Sequence, residues 1–127
     1  MSSAPRARPR PVPAYRALLA VHPDGSLTEV VLTPRLSATV TVAVLLDCLQ
    51  PDRLRLTRRL DMWAIDDGTH SLRANLLAAG LGLRHGLPPR CYHGTVLLCG
   101  AGPEPAGLSI DQVLAVLASI ADVADEL

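Results

Sequence analysis

Among its 127 residues the chain has no lysine and no phenylalanine, and its only aromatic residues are Tyr15, Trp63 and Tyr92. All 12 basic side chains are arginine, and they are matched by 12 carboxylates, so the formal net charge is zero. That balance excludes a global electrostatic pull toward nucleic acid. The missing lysine, with the many Ala, Gly and Pro residues, reads as a high-GC coding bias before any functional choice. With so few aromatics the core has to be built from Leu, Val, Ala and Ile. Apolar residues make up 49% of the chain, enough for such a core and too many for a disordered polymer. The length suits one domain. Only three cysteines are present, Cys48, Cys91 and Cys99. An odd count without a secretory leader argues for reduced thiols in a cytoplasm rather than a disulfide framework. No apolar run approaches the roughly 20 residues of a membrane span.

Residues 1–13 alternate Arg6, Arg8 and Arg10 with Pro5, Pro9, Pro11 and Pro13. Proline removes donors and fixes φ, so this is expected to be a disordered Pro/Arg-rich tail ahead of a single domain over 14–127. Tyr15 to His22 reads as a buried strand, Pro23-Asp24-Gly25 as a turn, and Leu27 to Leu32 as the return strand of a hairpin. Leu36 to Leu49 is two-sided. Val40, Thr41 and Val42 favour a strand, whereas Ala38, Val42, Leu45, Leu46 and Leu49 follow helical spacing with Ser37 as a cap. Helix is the preferred reading. Arg53 to Thr57 alternates as a half-exposed strand, and Leu60 to Ile65 reads as another, ended by Asp66-Asp67-Gly68. Leu72, Leu76, Ala79 and Leu83 mark a helical face that Ser71 can cap. Tyr92 to Cys99, apolar on both faces, reads as a central strand. Ser109 to Gln112 is a capping box opening a helix to about Ala124, with Ile110, Val113, Leu114, Leu117, Ile120, Ala121 and Ala124 as its apolar stripe.

No residue set amounts to a catalytic site. His70, His85, Cys91 and His93 are the nearest approach to a metal set, but they lack the tight ligand pairs of structural zinc sites. Cys91 or Cys99 with His93 as base would make a nucleophile pair, yet nothing nearby in the sequence orients the imidazole. Cys99, between Leu98 and Gly100, reads as a small buried thiol. Gly100-Ala101-Gly102 is no phosphate loop, because Pro103 and Pro105 stand where a helix has to begin. Two surfaces remain. One is a polar-aromatic group, Trp63, Asn75, Tyr92 and His93, suited to a ligand or partner; the plainer reading gives Trp63 to the core and Asn75 to backbone capping. The other is Arg53, Arg55, Arg58 and Arg59, a basic strand face that with the N-terminal arm can meet nucleic acid. That face has no interleaved aromatic for base stacking.

Several segments, in order, resemble a small bacterial, plasmid and phage domain, domain-of-unknown-function family 3846. Ala17-Leu18-Leu19 through Asp24-Gly25 is similar to its opening hairpin. Asp61-Met62-Trp63 with Asp66-Asp67-Gly68 is similar to its central strand and turn. Asn75 with Ala78-Ala79 resembles its Asn-led helix, and Tyr92-His93-Gly94-Thr95-Val96 with Gly100 its late strand. Leu108-Ser109 opens the last helix. The family commonly has Asn-Pro at this helix start, where this chain has Asn75-Leu76. The resemblance implies one small α+β domain and no known reaction. Occurrence on mobile elements would fit an accessory role.

The expected architecture is α+β: a small, largely antiparallel sheet with an opening hairpin, about three helices, and the C-terminal helix packed on the sheet. The expected role is a non-enzymatic accessory or binding domain for a protein or small molecule, with nucleic-acid association as the alternative. No cofactor, metal or membrane is implied, and no pattern encodes the oligomeric state.

Overall fold

The computed structural model describes residues 15–65 and 72–127. The basic arm, the Asp66-Asp67-Gly68 turn, His70 and Ser71 lie outside the described residues. Five strands, β1 (Ala17–Val21), β2 (Leu27–Val31), β3 (Asp52–Thr57), β4 (Leu60–Ala64) and β5 (Val96–Gly100), form one sheet in the order β2-β1-β5-β4-β3. Every strand pair is antiparallel. Among the described residues three helices complete the fold: α1 (Ala38–Leu46), α2 (Leu76–Arg84) and α3 (Ile110–Asp125). The expected α+β class and the C-terminal helix on the sheet are what the structure has.

The sheet has a core on each face. Leu18, Ala20, Leu97 and Cys99 pack with Val42 and Leu46 of α1. On the other face Leu19, Val21, Met62 and Leu98 pack with Leu77, Ala78 and Leu81 of α2 and with Val113, Val116, Ile120 and Val123 of α3. Strand period two explains the division: Leu97 and Leu98 are adjacent in sequence and serve opposite cores. β5 is fully buried along its length and central, as its two-sided apolar pattern predicts. The register places Val21, Val96 and Ala64 at one end of the sheet.

The two readings of 36–49 resolve to a helix. Ser37 accepts from the Val40 N–H, and the Thr41 hydroxyl donates back to the Ser37 carbonyl at 2.7 Å. Burial of Val42 and Leu46 against the sheet outweighs the β preference of three branched residues, which is weaker than tertiary context. The predicted inward residues Leu45 and Leu49 are exposed.

The faces of the other two helices also differ from the sequence pattern. Leu76 and Leu83 are exposed, and Leu77, Ala78, Leu81 and Gly82 are buried in α2. The helix is capped by Asn75 rather than Ser71, so Leu72 lies outside it. In α3 the capping box is present, with Ser109 and Gln112 bonded reciprocally. Its buried stripe is Val113, Val116, Ile120 and Val123, whereas Ile110 and Leu114 face outward. The sequence offers two overlapping apolar stripes, and the smaller valines win because α3 lies close to Gly80 of α2. A Cβ on Gly80 would fall 2.4 Å from Val123 Cγ1.

Candidate functional site

A cleft of about 570 Å³ lies at the sheet end where Val21, Val96 and Ala64 align. Five chain segments wall it: Pro23 after β1, Leu45 to Cys48 at the end of α1, Ile65 after β4, Leu72-Arg73, and Gly94-Thr95 before β5. Leu45, Leu46, Ile65 and Leu72 supply apolar wall, and Asp47, Cys48, Arg73 and Thr95 supply polar groups. That is the composition of a ligand cleft, apolar with a few convergent polar atoms.

Each wall is held by local chemistry. Asp47 ends α1 in the left-handed region, φ 49°, with its N–H returned to the Ala43 and Val44 carbonyls. Gly94, at φ +79°, is where a Cβ would meet Leu72 Cδ1 at 2.9 Å, so glycine lets Leu72 lie against the backbone. His22 bridges two hydroxyls, Nδ1 to Thr95 Oγ1 at 2.8 Å and Nε2 to Thr28 Oγ1 at 2.7 Å. At the hairpin tip Asp24 is held below its usual carboxylate range by hydrogen bonds from the Ser26 hydroxyl and N–H, with smaller help from the positive charge of Arg73.

Asn75 lies behind the cleft, 1% exposed. Its Nδ2 donates to the Val21 and Gly94 carbonyls, each at 2.9 Å, and its Oδ1 accepts from the Ala78 N–H at 3.1 Å. This one amide ties the end of β1, the entry to β5 and the start of α2.

The four residues of the polar-aromatic group do not form one surface. Asn75 and Tyr92 are joined by backbone, the Asn75 N–H donating to the Tyr92 carbonyl, and Ala74 bridges to half-buried His93. Tyr92 is buried on the α2/α3 side of the sheet, under the Arg90 guanidinium 5.0 Å from its ring. Burial raises its phenol pKa. Trp63 is half-buried on the opposite side, against the α1 core. Its Nε1 is buried without a hydrogen-bond partner among the described residues.

The arginine face is partly spent on internal contacts. Arg53 lies 5.9 Å from the Trp63 ring centre and donates to the Gly102 carbonyl. Arg55 Nε donates to Asp61 Oδ1 at 2.7 Å. Arg58 and Arg59 occupy the exposed turn between β3 and β4. The Asp61 side chain is 1% exposed and Arg55 is 53% exposed. Replacing Arg55 with alanine leaves a buried carboxylate unpartnered, and we expect a loss of roughly 2 kcal/mol by urea denaturation. Leucine at both positions is expected to recover most of it, because two matched apolar groups leave no charge uncompensated. Equal losses in the single and double variants would show that the cost is the lost ion pair itself and not a stranded carboxylate.

The three thiols differ in kind. Cys91 is exposed, Cys48 half-buried at the cleft, and Cys99 buried. Burial, reinforced by the Asp61 carboxylate, pushes the Cys99 thiol from 9.0 up to about 12, the opposite of an activated nucleophile. Between those values the unfolded chain binds fewer protons than the folded one, so stability falls as pH rises. The expected slope is about 1.4 kcal/mol per pH unit from this group. The Cys99→Ala variant is expected to lose that part of the alkaline slope in pH-dependent denaturation; an unchanged slope would place the effect elsewhere.

Among the described residues no three His, Cys, Asp or Glu side chains come together as a metal set, and no helix is long and apolar enough to cross a membrane. Sequence reasoning missed the cleft because its polar members, Cys48, Arg73 and Thr95, stand singly at the ends of different elements. Only the topology assembles them. No family model matches the chain, and no curated protein and no solved structure matches it.

Proposed function

We propose that the chain is a non-enzymatic accessory domain that binds a compact ligand, or a side chain of a partner, in the cleft at the sheet end. The observation that carries the reading is the cleft itself: about 570 Å³, walled by Leu45, Leu46, Ile65 and Leu72, with Arg73, Thr95 and Asp47 among its polar groups. Such a site suits a molecule with an apolar body and a hydrogen-bonding head. A cytoplasmic location is part of the proposal and rests on the three free thiols. The resemblance to family 3846 is part of it too and adds no reaction. Nucleic-acid association is the less favoured reading, since Arg53 and Arg55 already hold internal partners.

Native mass spectrometry of the chain, purified from its host without chelator, tests the proposal beside the Leu45→Trp variant. Leu45 lines the cleft and is exposed, so tryptophan there fills the space at little folding cost. A bound mass lost in Leu45→Trp supports the cleft. A clean apo mass, together with no thermal stabilisation by a metabolite set, overturns it. A DNA complex whose affinity falls steeply with salt would replace it with the arginine reading.

A further inference from the structure

A surface helix ordinarily turns a polar face to water, and α1 does not. No charged residue lies between Arg35 and Asp47. On its outward face Val40 and Val44 are exposed by 57 and 70%, and Leu36 and Leu49, just before and just beyond the helix, by 41 and 93%. The i, i+4 pair Val40 and Val44 lies on a ridge of the kind that packs into a neighbouring helix. With Leu45 these side chains offer roughly 500 Å² of apolar surface, near the upper end of what a monomer normally leaves uncovered. Arg35, Thr39, Asp47 and Gln50, all exposed, form a polar rim around it.

The flanking charges say what fits there. Arg35 stands at the N-terminal end of α1 and Asp47 at its C-terminal end. Each is the wrong sign for its own helix dipole, which favours an anion at the start and a cation at the finish. Among the described residues neither forms an ion pair. An antiparallel copy of the same helix reverses both faults. It brings Asp47 to the start of the facing helix beside Arg35, and Arg35 to its end beside Asp47. A two-fold axis makes the match twice with one patch, as an isologous interface requires. We propose that α1 packs against α1 of a second copy, antiparallel about a two-fold axis, with Arg35 of each copy facing Asp47 of the other.

Other occupants fit less well. A membrane-surface helix has a cationic polar face, and α1 has none. The chain's own residues 1–14 offer little apolar surface besides Met1 and Val12. Leu45 and Asp47 border the cleft as well as this patch, so the dimer is tested first on Val40 and Val44, which lie outside the cleft lining.

Sedimentation equilibrium of the full chain over a wide concentration range decides the matter. Wild type is expected to be a dimer and V40D/V44D a monomer with unchanged far-UV circular dichroism. Arg35→Asp and Asp47→Arg, each placing like charges together at two points, are expected to weaken association about tenfold or more. The double exchange, R35D/D47R, is expected to restore it, which a merely unfolded or generally weakened variant would not do. A monomeric wild type overturns the proposal, whether the ridge then binds vesicles or another protein. A dimer indifferent to V40D/V44D overturns it as well. A dimer lost in both single charge variants and not restored in the double overturns the antiparallel arrangement.

Discussion

Replacing Asn75 with alanine is expected to lower the unfolding free energy by roughly 3–7 kcal/mol. Three separate consequences add. The Ala78 N–H loses its cap, worth about 1 kcal/mol in typical helices. The Val21 and Gly94 carbonyls each lose a donor in a place water does not reach, at about 1–3 kcal/mol apiece. Urea denaturation of Asn75→Ala measures the sum. Aspartate separates the parts. It keeps the acceptor for Ala78 but sets a carboxylate oxygen where Nδ2 met two carbonyl oxygens. Burial beside those dipoles raises that carboxyl's pKa, so Asn75→Asp is expected to gain stability as pH falls, where its proton restores one donor. If Asn75→Ala loses only the cap's share, the two carbonyls are satisfied some other way.

Leucine at Gly80 is expected to cost roughly 3 kcal/mol or more. Glycine inside a helix is ordinarily a weakness, and alanine there would gain about 1 kcal/mol from helix propensity alone. Here the new Cβ meets Val123 Cγ1 at 2.4 Å. Val123 is buried, and a β-branched side chain in a helix has one favoured rotamer, so it has nowhere to turn. Alanine is therefore expected to be destabilising despite its propensity, and leucine to force α2 and α3 apart. The pair Gly80→Ala with Val123→Ala checks the mechanism by thermal denaturation. The double variant is expected to be more stable than the two single losses predict, because each substitution makes room for the other. Simple additivity would place the clash elsewhere.

Both positions show where sequence reading stops. The opening hairpin, the alternation of Arg53 to Thr57, the central character of Val96 to Gly100 and the Ser109 box were legible, because each signal is local. Asn75 could be assigned a backbone-capping role from its residue type, but its two further partners sit 54 and 19 residues away. The buried faces of α2 and α3 were misjudged because leucine and valine stripes overlap, and only the closeness that Gly80 permits selects the valines. Grouping Trp63 with Tyr92 failed for a topological reason: Tyr92 packs in the core on one face of the sheet and Trp63 against the core on the other. The cleft was invisible for the same reason, since no two of its five segments are neighbours in a motif.

The position of β5 governs how this chain is made as well as how it stands. β1 with β2, and β3 with β4, are hairpins whose partners are close in sequence. Nothing joins the two ribbons in the sheet until residues 96–100 enter between them. During synthesis the first three quarters of the domain therefore emerge as two open-edged ribbons with apolar faces. The late strand closes both edges at once, across long sequence separations that slow folding. A ribosome that stalls before Val96 releases a chain with two sticky edges, and such a product is destined for proteolysis or aggregation.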